Sequence, residues 1–255
     1  MTARSLTLTA LTGIPDVRTG DDLVAIIVAA IEASGLRAEP GDALVIAQKI
    51  VSKSEGRWVK LGTVVPSERA RELAALSRKD PRIVELILSE SSEVMRCKPN
   101  VIIVRHRLGY VMASAGIDQS NTGELGDETV LLLPVDPEAS AARIRSGLRD
   151  RLGVDLGVII NDSFGRAWRN GVVGISLGVS GVPALVDMRG QADRYGRTLH
   201  ITQIGVADEL AAAASLVMGQ GDEGTPVVLA RGVPHSGRDG SVRELIRAAD
   251  EDMFR

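Results

Sequence analysis

Aromatic residues are scarce in this sequence, which has two Trp, two Tyr and two Phe among 255 residues. A core must therefore be assembled from Val, Leu, Ile and Ala. The 44% hydrophobic content is sufficient for that without disulfides or metal staples. The single cysteine, Cys97, excludes an internal disulfide and a cysteine-based zinc site, and it fits a reducing cytoplasm. Histidine is nearly as rare, with only the scattered His106, His200 and His235, so any metal chemistry would have to use oxygen ligands. No G-x-x-x-x-G-K-[ST] segment exists, which excludes a P-loop. The most apolar stretch, Leu23 to Ala33, is too short to span a bilayer, and Met1-Thr2-Ala3-Arg4 does not lead into an apolar signal region. A net charge of -3 gives no general attraction to nucleic acid. The expectation is a cytoplasmic protein acting on small molecules, with neither nucleic acid nor membrane as partner.

What is present is a mixture of helix and strand signals that do not alternate one for one. Strands are expected at Ser5 to Leu11, Ala43 to Val51, Leu156 to Ile160, near Leu199 to Val206 and at Val227 to Ala230. A hairpin is expected around Leu108-Gly109, and a short apolar run covers Val130 to Leu133. Helices are expected from Asp21-Asp22 to Ser34, at Pro66 to Ser77, Pro81 to Ser89, Glu138 to Leu152, Asp208 to Met218 and Val242 to Ala249. The segment Asn161 to Gly171 reads as a polar loop. This pattern predicts an α+β or irregular α/β fold with mixed sheets and packed helices, not a Rossmann or P-loop fold.

Chemistry concentrates in four segments. Gly219 to Gly224 matches G-x-G-x-x-G but follows a helix, the wrong context for a dinucleotide site. The apolar run from Ala43 delivers Lys49, Ser52, Lys53 and Glu55 at its polar end; Lys49 and Lys53 as strand residues would share a face and could hold phosphate oxygens, or could simply be solvated. Asp118 and Asn121 follow small residues in a turn and could bind a hard cation or ribose, although both types also favour turns for local reasons. The strongest segment places Asp162-Ser163 at a strand end, followed by Arg166 and Arg169. A carboxylate and a hydroxyl suit Mg²⁺ or Mn²⁺, and the arginines could clamp phosphate or carboxylate. Asp208 and Glu209 read as ordinary acidic residues of a helix's first turn.

Taken in order, these segments resemble the coenzyme F420-0:gamma-glutamyl ligase family. The likeness runs through Ile14-Pro15-Asp16, Gly20 to Leu23, Gly41 to Lys49, Val51 to Arg57 and Ala115 to Asn121. It continues through Leu132-Leu133-Pro134, Asp162 to Gly171, Ala207 to Ala211 and Met218-Gly219-Gln220. The resemblance implies GTP-dependent addition of L-glutamate to a 5-deazaflavin lactyl-phosphate precursor, coenzyme F420-0. In that scheme GTP phosphorylates the precursor's carboxylate, and the glutamate amine then displaces phosphate. It implies a pair of Mg²⁺ or Mn²⁺ ions on Asp118, Asp162 and Ser163, with Gln220 a weaker fourth candidate and K⁺ as a supporting ion. Nucleotide contacts would fall on Ile14, Pro15, Asp16, Val17, Gln48, Lys53 and Asn121, and on the Met218 to Thr225 turn through Gly219 and Thr225. Lys53, Arg166 and Arg169 would carry the catalytic positive charge. Ser163 stands where many relatives carry threonine, and either supplies a hydroxyl.

The resemblance further implies an intertwined homodimer and one ligase unit over 1–255, or two interleaved lobes, without the C-terminal flavin-binding reductase domain of some relatives. Other readings stay open on the residues alone. They are an amide-forming ligase for another carboxylate, a nicotinamide- or F420-dependent oxidoreductase using Gly219 to Gly224, and a non-catalytic nucleotide- or deazaflavin-binding regulator. GTP is not distinguished from ATP, since no N-K-x-D segment occurs.

Overall fold

The computed structural model describes residues 4–119, 128–234, 238–248 and 250–252. The chain opens with β1 (Thr7–Ala10), α1 (Leu23–Ala33), β2 (Ala43–Ala47) and α2 (Gln48–Ser54). There follow β3 (Trp58–Lys60), α3 (Glu68–Ser77), α4 (Pro81–Ser89), β4 (Ser91–Lys98), β5 (Val101–His106), β6 (Val111–Ala113) and β7 (Thr129–Leu131). The remainder is α5 (Pro137–Leu152), β8 (Gly157–Arg166), β9 (Arg169–Ser180), β10 (Val186–Asp187), β11 (Gln203–Ile204), α6 (Val206–Met218) and β12 (Val227–Arg231).

The central sheet has the order β1-β12-β2-β8-β9. Only β2 and β8 run parallel, with Ala43 opposite Gly157 and Ala47 opposite Asn161; the other neighbours are antiparallel. Residues Ala43 to Ile46 and Val158 to Ile160 are wholly buried, as strands covered on both faces must be. Each Leu, Val or Ile buried there contributes roughly 1.5–3 kcal/mol. A bulge at Leu177 puts Ser176 opposite Asn161 and Gly178 opposite Ile160, so Ser176 and Gly178 face opposite sides of the sheet. Gly178 lies against the start of α5 and Gly174 against α6, so these helices cover opposite faces. α1 packs on α5 where Gly147 leaves room for Val24. The Leu177 carbonyl accepts from the buried Tyr110 hydroxyl at 2.6 Å, and Tyr110 meets Phe164 edge-on.

A second apolar cluster joins α3 and α4 to the three-stranded sheet β4-β5-β6 through Leu73, Val84, Ile87, Ile102 and Val104. Glu90, just past α4, ties this region to the rest. Its carboxylate meets Arg57 at 3.2 Å, Arg107 at 3.1 Å and His106 Nε2 at 3.4 Å. His106 Nδ1 accepts from the Leu108 N–H, which leaves the ring proton on Nε2, facing Glu90. Arg57 and Arg107 also donate to the carbonyls of Leu133 and Val135. Burial opposes charge on Glu90, but His106, Arg107 and Arg57 outweigh it and hold the carboxyl at about 2, below its ordinary 4.5. Between those values the folded protein binds fewer protons than the unfolded chain. The hub therefore contributes on the order of 2 kcal/mol above pH 4.5 and loses it as pH falls towards 2. Urea unfolding of Glu90→Gln should show its largest deficit against the parent near pH 6 and a shrinking one at pH 4 and pH 3. A deficit independent of pH would contradict this assignment.

The architecture is the expected irregular α+β arrangement, with several local departures. The strand from Ala43 stops at Ala47 and α2 begins at once, so Lys49 and Lys53 are one helical turn apart rather than strand neighbours. Asn161 to Gly171 is no loop: β8 carries on to Arg166 and turns directly into β9. Pro66 precedes α3, whose N-cap is Ser67. The closing helix shrinks to a single 3₁₀ turn, Val242–Leu245, fixed by a Ser241–Glu244 capping box. Strands β3, β4, β9 and β10 were not expected from the pattern. His106 is completely buried.

Candidate active site

The parallel strands β2 and β8 end side by side, and a cavity of about 520 Å³ opens there. Its walls are the 14–17 segment, the start of α2, residues 161–163 of β8 and the 218–226 turn after α6. A smaller cavity of about 170 Å³ lies between residues 112–118 and residues 162–165. Asp162 and Ser163 line both, so one strand segment forms a wall of each.

Lys53, almost fully buried, reaches the wall of the larger cavity and pairs with Asp16 at 2.8 Å. Lys49 stands 3.4 Å from Asp118 Oδ1. Gln48 Nε2 donates to Asp118 Oδ2 at 2.7 Å, and Ser52 donates to Gln48 at 2.9 Å. The Asp118 backbone is fixed by a bridge to Leu131, with both hydrogen bonds at 2.9 Å. Burial pushes the Asp118 carboxyl up, opposed by Lys49 and Gln48. Asp162 is half-buried and lines both cavities. Burial first, then the neighbouring Asp118 charge, raise its carboxyl from 3.8 to about 7 against the pull of the Ser163 N–H and Lys49.

Two carboxylates that repel one another beside a hydroxyl form an oxygen donor set that a divalent cation would relieve, so the residues present fit such an ion. Among the described residues no group of three or more His, Cys, Asp or Glu forms a closed metal site. Substrate oxygens would have to complete the coordination, as suits Mg²⁺.

The structure thus brings Ile14, Pro15, Asp16, Val17, Gln48, Lys53, Asp162, Ser163, Gly219, Gln220 and Thr225 to one cavity, with Asp118 at the adjoining one. Thr225 closes the 218–225 turn through a 3.1 Å hydrogen bond to the Met218 carbonyl. Arg166 and Arg169 line neither cavity; they face each other at the exposed tip of the β8–β9 hairpin. Asn121 lies outside the described residues. Asp208 is structural, accepting from Ser176 N and Oγ at 3.0 and 2.6 Å. Gly219 to Gly224 connects α6 to β12 and so lacks the strand–turn–helix setting of a dinucleotide site. Sequence reasoning missed Asn161, a buried residue at the cavity wall whose Oδ1 has no hydrogen-bond partner among the described residues. Its signal was being the first polar side chain after the apolar run Val158 to Ile160. The link of Ser52 to Gln48 was missed as well.

A model of the family described as F420-0:Gamma-glutamyl ligase matches residues 13–232. That span contains every described wall of both cavities. The chain belongs to this family. Similar family members include the coenzyme F420:L-glutamate ligase of Methanothermobacter thermautotrophicus, 45% identical over 98% of this chain and 99% of that protein. The ligase of the same name from Methanopyrus kandleri is 47% identical over 94% of this chain and 93% of its own length. That from Halobacterium salinarum is 42% identical over 96% and 94%. Among the described residues of this F420-0:gamma-glutamyl ligase family member, no helix is long and apolar enough to cross a membrane.

Proposed function

We propose that the protein is a GTP- and divalent-metal-dependent ligase that adds L-glutamate to coenzyme F420-0. The observation that carries this reading is the Asp162-Ser163 segment standing between two cavities, one large enough for a nucleotide and one small and acidic. The names of the relatives support the substrate, since each is called a coenzyme F420:L-glutamate ligase.

A free carboxylate is a poor electrophile, so amide formation needs a leaving group. A carboxylate oxygen of the precursor attacks the γ-phosphorus, and GDP departs with the electrons of the broken P–O bond. The glutamate amine then attacks the acyl carbon, the C–O bond to phosphate breaks, and the amine loses a proton. Lys53 and Lys49 supply positive charge at the cavity wall for the phosphate oxygens, and the 219–225 turn offers backbone N–H groups. Asp118, Asp162 and Ser163 would hold a pair of Mg²⁺ or Mn²⁺ ions, with Gln220 as a further ligand. Bound there, the ions would lower the repulsion between triphosphate and carboxylate. K⁺ as a supporting ion and a homodimer belong to the same reading.

Phosphate release tests the reaction class. Release should require GTP, F420-0, L-glutamate and Mg²⁺ or Mn²⁺ together, and should stop when any one is withheld. Release from GTP alone at the full rate would make the protein a nucleotidase instead.

A further inference from the structure

Asp118 is gripped at both carboxyl oxygens, by two donors of different kinds. Lys49, at Oδ1, is a cation. Gln48, at Oδ2, is neutral, and its own carbonyl oxygen receives the Ser52 hydroxyl. Gln48 and Ser52 are 2% and 0% exposed, so water does not compete for these bonds. The pairing exists because β2 gives way to α2 at Gln48. Residues four apart are separated by about 6 Å along a helix but about 13 Å along a strand.

Only one orientation of the Gln48 amide satisfies all three groups. Turned over, its oxygen would confront the Asp118 carboxylate, acceptor against acceptor. Ser52 makes the satisfying orientation complete by occupying Oε1. Without that hydroxyl, Oε1 is a buried acceptor lacking a partner, and Gln48 gains by rotating away to find one. The two grips on Asp118 also respond differently to an arriving cation. The Lys49 ammonium is repelled and must move aside, whereas a neutral amide can stay and keep Oδ2 fixed.

We propose that Gln48 and Ser52 are positioning residues that hold the Asp118 carboxylate in place for a divalent cation, an inference that rests on reading Asp118 and Asp162 as the cation-binding pair. Neither side chain needs to touch the cation. Their effect is on the orientation and mobility of the group that does, and losing such support weakens metal binding by about 10- to 100-fold.

The test is Mn²⁺ binding to the full chain without nucleotide, followed by electron paramagnetic resonance of free Mn²⁺, with thermal melting in parallel. Ser52→Ala and Gln48→Met should each weaken Mn²⁺ binding about 10-fold or more, with melting temperatures close to the parent in chelator. Ser52→Thr, which keeps the hydroxyl, should restore binding to within a few-fold. Parent-like Mn²⁺ affinity in folded Ser52→Ala would overturn the relay, as would weakening in Gln48→Met alone. If the parent itself binds no Mn²⁺, the cation-site reading fails and this inference falls with it. Those two failures are therefore told apart by the parent's own titration.

Discussion

Replacing Asp162 by Asn should reduce ligation by at least about 100-fold while leaving the protein as stable as before or more so. The two effects have one cause. Asp162 is a half-buried carboxylate placed near a second one, and burial and that neighbour both disfavour its charge, so the charge opposes folding in the absence of a cation. Asparagine keeps the shape and removes the charge, which relieves both the burial and the repulsion by Asp118. At pH 8 without divalent metal, the variant should melt at or above the parent's temperature, by a few °C at most, since about 1 kcal/mol corresponds to roughly 2–4 °C in a chain of this size. Turnover should nevertheless collapse, because an amide cannot supply the anionic oxygen that a divalent cation requires. Ser163→Ala, losing a neutral ligand, should be milder. An Asp162→Asn protein that stays folded and turns over at the parent's rate would remove Asp162 from the site and favour a non-catalytic binding role.

The largest effect on stability is expected at Gly174. It sits on β9 directly under α6, where an added Cβ would lie 2.3 Å from the Ala211 carbonyl oxygen and 2.7 Å from Asn161 Oδ1. The first of these is helix backbone and cannot swing away as a flexible side chain would. Gly174→Val must therefore push α6 off the sheet, against the contacts of Ala207, Leu210, Ala211 and Ala214, all buried. A loss of about 3 kcal/mol or more is expected, above the usual range for overpacking. Because α6 leads straight into the 218–226 turn of the larger cavity, the same change should also weaken binding of the proposed nucleotide there. Gly165→Ala, at a position with open space around it, is the control. Urea denaturation of the two variants checks this. Similar midpoints would mean that α6 approaches the sheet less closely than described.

These two positions also show where the sequence could be read and where it could not. Asp162-Ser163 stood out because a continuous apolar strand ended in a carboxylate and a hydroxyl, a local signal with a direct chemical meaning. The buried cores of β2 and β8 were legible for the same reason, as were α1 and α5, whose Asp22 and Asp136 caps are explicit. Gly174 and Gly178 had the opposite effect. In sequence they resemble turn signals, and they hid β9, because a glycine that accommodates a helix from elsewhere in the chain carries no local mark of doing so.

The boundary between β2 and α2 was illegible for another reason. Ala47 provides no side-chain cap, and Ile50 and Val51 are apolar neighbours compatible with strand or helix. That single misplacement concealed the Ser52–Gln48–Asp118 contact, which depends on helical spacing. Arg166 and Arg169 looked like a phosphate clamp because they shared a segment with Asp162. The ladder of β8 and β9 carries them away along the hairpin to its exposed tip. The convergence of the 14–17, 48–53, 162–163 and 219–225 segments on one cavity could not be derived from any of them singly. It came from the ordered likeness to a family.

The most direct measurement is the mass of the product formed when the purified chain is incubated with F420-0, L-glutamate, GTP and Mg²⁺ or Mn²⁺. The account predicts a product heavier than F420-0 by one glutamyl residue or more, absent when GTP or the metal is omitted. Unchanged F420-0 with either metal, from folded protein that binds GTP, would contradict the assigned acceptor.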